Sequence, residues 1–166
     1  MMVKIHKKPF FLLVTAHSQL GEAYINSRIF ELALEHLATA LKINGELLSS
    51  EPMARDYHSH LLIMLGRCYY EAGSFKEALS LLEKSLESTI QTDGNSTLAL
   101  APTLQLMAKV HLKLKDLDRA LALLNQILQL FETLNTDLHD LRGFVYLEIA
   151  GIQKRRNNLT DAIDFQ

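Results

Sequence analysis

Small, aromatic and apolar residues recur at fixed distances from four positions along the chain: 21, 66, 108 and 150. Around Gly66, Leu65 precedes, and Tyr69, Gly73, Phe75 and Ala78 follow at +3, +7, +9 and +12. Around Gly21 the same offsets hold Leu20, Tyr24, Phe30 and Ala33, with Ala40 at +19. From Ala108 the series runs Met107, His111, Leu117, Ala120 and Ile127; from Ala150 it runs Ile149, Gln153, Leu159 and Ala162. Steps of 45, 42 and 42 residues separate the origins, which marks an internal repeat. A glycine inside a helical pattern costs about 1 kcal/mol relative to alanine. Gly21 and Gly66 therefore call for an offsetting contact.

Each unit predicts a helical hairpin. The origin lies in a first helix, a polar turn follows ("NSRI", "EAGS", "KLKD", "RRNN"), and a second helix starts near +9. A small residue at the origin lets the two helices approach, with the alanine at +12 expected opposite it. Offsets −4, −1 and +3 share one face and predict the core: Leu62, Leu65 and Tyr69 in the second unit, Leu104, Met107 and His111 in the third. Between units, "NGELLSSEPM", "QTDGNSTLALAP" and "LNTDLHD" supply caps and turns. Pro52 suits a first helical turn. Pro102 implies a helix that starts near Ala99 or one that is kinked.

Composition narrows the classes. Of 166 residues, 48% are hydrophobic and 22% charged, ordinary for a globular chain and against disorder. A formal charge of −2 gives no bulk attraction to nucleic acid or an anionic membrane. The single cysteine, Cys68, can form no internal disulfide and fits a reducing, cytoplasmic setting. "KIHKK" followed by "FFLLVTA" has the outline of a short leader, but Phe10–Ala16 is too short to span a bilayer and continues into an amphipathic pattern. It is expected to start a helix.

The register resembles the tetratricopeptide repeat, carried by Leu20, Gly21, Tyr24, Phe30, Ala33 and Ala40, then by Leu65, Gly66, Tyr69, Gly73, Phe75 and Ala78. Units three and four depart from it, with alanine at the origin and His111 or Gln153 in place of tyrosine. The steps exceed the usual 34 residues, which makes the chain similar to the long-repeat subclass of kinesin light chains. HEAT and armadillo repeats have comparable lengths but lack this register. The resemblance implies an all-α, right-handed α-solenoid of antiparallel helix pairs. It implies about four repeats, near 14–48, 59–92, 101–134 and 143–166, the last incomplete, in one domain spanning 1–166.

In that architecture the first helices line a concave groove. Offsets −6, −3, +1, +4 and +5 define their expected exposed arc. It runs through Thr15, Ser18, Glu22, Ile25 and Asn26 in unit one, and His60, Ile63, Arg67, Tyr70 and Glu71 in unit two. Unit three adds Pro102, Gln105, Lys109, Leu112 and Lys113; unit four adds Phe144, Leu147, Gly151, Lys154 and Arg155. Arg67, Lys109, Lys113, Lys154 and Arg155, interleaved with Tyr70, Leu112, Phe144 and Leu147, suit a peptide or protein segment carrying acidic and apolar side chains. Solvated helix faces are the plainer account of the same charges. The carboxylate clamp of co-chaperone repeats needs lysine at −3 and asparagine at +1, where this chain has Ser18 and Glu22. The paired asparagines of kinesin light chains are likewise replaced, for instance by Ser18–Gln19 and Ile63–Met64.

Other motifs carry little chemistry. His58 and His60 in "DYHSH" lie about 200° apart on a helix and cannot share one ion. His111 is expected in the core, and Cys68 as an inert thiol beside Arg67. No phosphate loop, nucleophile elbow or HExxH helix is present. Asn95-Ser96-Thr97 and Asn158-Leu159-Thr160 match the glycosylation sequon, and in a cytosolic chain are turn residues only. The expectation is a non-enzymatic scaffold without cofactor or metal, binding protein rather than nucleic acid or membrane. The alternative is an assembly module: "LTDAIDFQ" leaves the last helix short, so the open C-terminal repeat face would serve a homodimer or the rest of a longer protein.

Overall fold

The structure, a computed structural model, describes residues 8–95, 97–135 and 139–164. These form seven α-helices and no strand: α1 (Lys8–Asn26), α2 (Phe30–Leu47), α3 (Pro52–Glu71), α4 (Phe75–Asp93), α5 (Ala101–Lys113), α6 (Leu117–Thr133) and α7 (His139–Asp164). They divide into two compact units, Met1–Thr92 and Asp93–Gln166. Phe10–Ala16 lies within α1, while residues 4–7 of the basic segment and Ser96 of the first sequon fall outside the described residues. Pro52 opens α3. Pro102 sits in the first turn of α5, after a 3-10 turn at Leu98–Leu100, so no kink is needed.

In the first unit α1 packs on α2, and α3 packs against both. Ile25, Ala33, Leu37, Met64, Leu65 and Cys68 form one buried cluster; Val14, Ala40, Leu47, Ala54 and Leu61 form another. In the second unit α5 packs on α6 and α6 on α7, around Leu104, Leu124, Ile127 and Phe131.

One device ends the first helix of three repeats. The residue at +7 takes positive φ: Arg28 at 60°, Gly73 at 85° and Lys115 at 63°. The amide at +8 then donates to the carbonyl at +3 (Ile29 to Tyr24, 2.9 Å; Ser74 to Tyr69, 2.8 Å; Asp116 to His111, 2.9 Å). The amide at +7 donates to the carbonyl at +4, as in Gly73 to Tyr70 at 3.1 Å. This is the Schellman arrangement, which satisfies carbonyls left unpaired at a helix end. Asp116 then caps α6, its Oδ1 accepting from the Arg119 amide at 3.2 Å.

One expectation is extended and one corrected. The small origin residue lies against the backbone of the alanine at +12, as expected, but its notch is filled by the leucine at +16. A β-carbon on Gly21 would meet Leu37, and one on Gly66 would meet Leu82, with the carbonyl oxygens of Ala33 and Ala78 next nearest. The turn expected at "RRNN" does not form, and α7 runs through it to Asp164. The residue at +16 of that unit is Gln166, not leucine, so a second helix folding back would lack the side chain that fills the origin notch elsewhere. Ala150 is accordingly exposed, whereas Gly21, Gly66 and Ala108 are buried.

Candidate functional site

The first helices have two working faces. Offsets −4, 0 and +3 meet the helix's own partner: His17 Nδ1 lies 2.9 Å from His36 Nδ1, and Tyr24 stacks on the His36 ring at 5.4 Å. In α1, offsets −3 and +4 meet the next repeat. Ser18 and Ile25, expected in the groove, are therefore buried: the Ser18 hydroxyl bonds the Tyr57 hydroxyl at 2.8 Å and Ile25 packs with Met64 and Leu65. The wheel alone could not show this, because it depends on which flank the following hairpin covers.

Arg67 in α3 is half-buried and tied back to α1, donating to Asn26 Oδ1 at 2.8 Å and Glu22 Oε1 at 3.4 Å. It is a clasp between repeats before it is a binding cation. Tyr70, one turn on, lies with its ring centroid 6.1 Å from that of Phe75.

The second unit has the more open arrangement. On α5, Lys109 and Leu112 are half-buried and Lys113 is exposed; on α7, Phe144, Leu147, Lys154 and Arg155 are all exposed. An apolar pocket of about 250 Å3 lies between α5, α6 and α7, lined by Leu98, Ala101, Pro102, Gln105, Ile127, Phe131, Leu141 and Val145. Pro102 and Gln105 belong to the expected arc, so its unit-three end borders a real cavity. Leu98 and Leu141 stand at helix starts, outside any helical-wheel argument.

A cleft of about 580 Å3 in the first unit was not legible in the sequence. Leu41, Leu48, Leu62 and Leu81 are among its apolar lining, and Arg55, Lys84 and Glu87 among its polar lining. His58 lines it too; its Nδ1 is buried without a hydrogen-bond partner, and burial lowers its pKa from the ordinary value. His111 is buried as expected, with Nδ1 3.5 Å from Asp116 Oδ2, too far for a hydrogen bond. Cys68 is buried, its thiol 3.8 Å from the Phe30 carbonyl, and burial together with the Glu31 carboxylate raises its pKa. Both effects disfavour the thiolate. Among the described residues no cluster of three His, Cys, Asp or Glu side chains is placed to hold a metal ion, and no helix is long and apolar enough to cross a membrane.

The repeat geometry agrees with the comparisons. Residues 33–127 match the family described as "Anaphase-promoting complex, cyclosome, subunit 3". The chain belongs to that family. This member is 24% identical over 134 residues, 80% of its length, to a clustered mitochondria protein homolog from Candida albicans (strain SC5314 / ATCC MYA-2876) and spans 10% of that relative. It superposes on BtubC (BKLC) from P. vanneervenii with a TM-score of 0.76 at 19% identity, covering 97% of this chain and 63% of that one. Against the nearly identical, kinesin light chain TPR-like repeats of a Podosopora anserina protein the TM-score is 0.71 at 19% identity, covering 91% and 70%. At such identity the likeness shows the fold alone. That fold is the tetratricopeptide-like α-solenoid.

Proposed function

We propose that this chain is a non-enzymatic protein-interaction scaffold, cytoplasmic, whose second unit holds an acidic and apolar segment of a partner protein along α5 and α7. The observation that carries the reading is the 250 Å3 apolar pocket between those helices, roomy enough for a large side chain, on the helices that also bear Lys109, Lys113, Lys154 and Arg155. An apolar anchor seated in the pocket supplies the holding energy, and the cations guide acidic neighbours onto the surface. Leu112, Phe144 and Leu147 widen the apolar strip. Arg67 and Tyr70 present the corresponding offsets in the first unit. The test is a pull-down with the wild-type chain and with Lys109→Glu/Lys113→Glu, followed by titration of the captured segment against both. A loss of affinity of tenfold or more supports the reading, and equal binding overturns it.

A second reading is favoured by Leu147. It is 72% exposed, whereas Ser18, at the same offset in the first repeat, is buried by the following hairpin. The α7 face would then be a stacking surface for a second chain or for a further repeat. Leu147→Glu should abolish that association in sedimentation, whereas Lys109→Glu/Lys113→Glu on α5 should leave it intact.

A further inference from the structure

Two cavities of the first unit run into one another. The cleft of about 580 Å3 beside His58 and a second of about 540 Å3 share Leu41 and Leu81 in their linings. Helices α2 and α4 form the walls. The floor is α3, from Arg55 and His58 through Leu62 to Leu65 and Tyr69, about 21 Å of helix. Leu62, Leu65 and Tyr69 stand at offsets −4, −1 and +3, so this groove lies off the arc expected to line the concave one. Three consecutive helices of the chain enclose it, and it is not a stacking face at the end of the repeat array. On its α2 wall stands a glycine that the chain's own packing leaves unexplained. Gly45 comes four residues after Leu41 and three before Leu48, on the same side of the helix. Gly21 and Gly66 offset their helical cost by seating Leu37 and Leu82, but a β-carbon on Gly45 would meet nothing within 4 Å.

We propose that the groove between α2 and α4 docks an amphipathic helix of a partner protein, its apolar stripe over Leu41, Leu62 and Leu81 and its carboxylates toward Arg55 and Lys84. Each cavity falls in the range of about 300–1,000 Å3 typical of ligand clefts. Both walls are helices, whose main-chain amides and carbonyls already bond each other. An extended segment would find no backbone partners there, whereas a helix brings its own satisfied. Four turns of helix, about 22 Å, match the floor. The partner comes nearest to α2 at Gly45, where no side chain holds it off. Charge sets its direction. The cavity at the start of α3 carries Arg55, Lys84 and Glu87, a surplus of one cation; the other carries Lys42 and Glu77, which balance. The Arg55 Nε donates to the Leu48 carbonyl at 3.0 Å, which fixes the guanidinium at the mouth. Among the described residues neither Arg55 nor Lys84 is in an ion pair, so both can donate to carboxylates of the docked helix.

Fluorescence anisotropy of the full chain against a panel of labelled, lactam-bridged helices of about 16 residues, about 24 Å long, tests this. The panel carries leucine, isoleucine or phenylalanine at i, i+3, i+7 and i+10, with glutamates or lysines at one end. Glutamate-ended helices should bind saturably, and lysine-ended ones at least tenfold more weakly. Arg55→Glu/Lys84→Glu should raise the Kd at least tenfold, and Lys109→Glu/Lys113→Glu, in the second unit, should leave it unmoved. Gly45→Gln should also raise it at least tenfold without lowering the melting temperature, because the new side chain displaces only the partner. No binding at several hundred micromolar overturns the inference. So does a Kd indifferent to Gly45→Gln or to Arg55→Glu/Lys84→Glu, or one raised by Lys109→Glu/Lys113→Glu (binding in the second unit). Equal binding of a proline-broken, extended form of the same peptide overturns it as well, as does a melting temperature lowered by Gly45→Gln, since the glycine would then serve the chain's own fold.

Discussion

Leu82 occupies the space a side chain at Gly66 would need. A β-carbon there would lie 3.0 Å from both Cγ and Cδ2 of Leu82. The same pair one repeat earlier is tighter: at Gly21 the distances to Leu37 Cγ and Cδ2 are 2.5 and 2.7 Å. Close approach of the two helices offsets the helical cost of glycine at both places.

Gly66→Leu should therefore destabilise by on the order of 2 kcal/mol through overpacking. Alanine ranks the two sites. Gly21→Ala forces the branched Leu37 to move, whereas at Gly66 a shift of a few tenths of an ångström suffices and the gain in helix propensity, about 1 kcal/mol, opposes the strain. Gly151 meets nothing within 4 Å, so Gly151→Ala should stabilise by up to about 1 kcal/mol. Urea denaturation orders the three alanine variants, and equal effects at Gly21 and Gly151 would sink the assigned register.

The positive-φ turns give a prediction of opposite sign. A left-handed residue other than glycine carries a cost of roughly 1–2 kcal/mol, so Lys115→Gly should stabilise by up to about 1 kcal/mol and Gly73→Ala should destabilise by a similar amount. Arg28→Gly should come out near neutral. It gains the same backbone freedom but loses the guanidinium set 5.6 Å over the Phe30 ring, a contact of about 0.5–1 kcal/mol. Denaturant midpoints of the three variants separate these signs.

Stability should fall on mild acidification. Burial lowers the pKa values of His58 and His60, the latter partly countered by the Glu22 carboxylate. Unfolded histidine titrates near 6.5. Above that pH both states hold neutral imidazoles and the stability is fully present. Below it the unfolded chain takes up protons first, and stability is lost until the folded imidazoles protonate too. Melting at pH 8 and pH 5.5 should show the drop, and a His58→Gln/His60→Gln variant should show less of it; an unaltered slope would assign the effect elsewhere.

Cys68 should be slow to alkylate. The thiolate is the nucleophile, and burial with Glu31 nearby disfavours it. Iodoacetamide at pH 7.5 should react roughly tenfold or more slowly than with free cysteine, and denaturant should restore the rate. Fast labelling of the folded chain would contradict the closed packing around Phe30.

The hairpins were legible because Gly66, Tyr69 and Ala78 and their equivalents keep one register over three repeats. The leucine at +16 stands in "ALEHL", "ALSLL" and "ALALL", but among so many leucines its position does not set it apart from the other apolar sites of the second helix. "RRNN" looks as polar as the other turns, and Asn157 tolerates the left-handed region; Gln166 at +16 was the contrary signal. Ser18 and Ile25 could not be placed from a wheel, since their burial depends on the rotation between successive hairpins. The cleft beside His58 arises from three helices at once and has no linear trace.

The charges and the apolar anchors of the second unit should separate in kinetics. Lys113 is exposed and Lys109 half-buried, so their reversal to glutamate acts mainly on encounter, slowing association and flattening its salt dependence. An anchor buried by the partner acts on dissociation instead. Gln105→Trp, placed to fill the pocket beside Ile127 and Phe131, should speed dissociation of a segment captured by pull-down, by the equivalent of roughly 1–3 kcal/mol if that pocket holds a hot-spot side chain. Phe144→Ala, with Phe144 already 65% exposed, should alter the off-rate without changing the monomer's melting temperature. Surface-binding kinetics at two salt concentrations measure both rates. If reversal of the lysines changes only dissociation, the cations are buried contacts and not guides. If Gln105→Trp and Phe144→Ala leave both rates untouched, the segment lies elsewhere, with the cleft lined by Leu41, Leu62 and Leu81 the next surface to block.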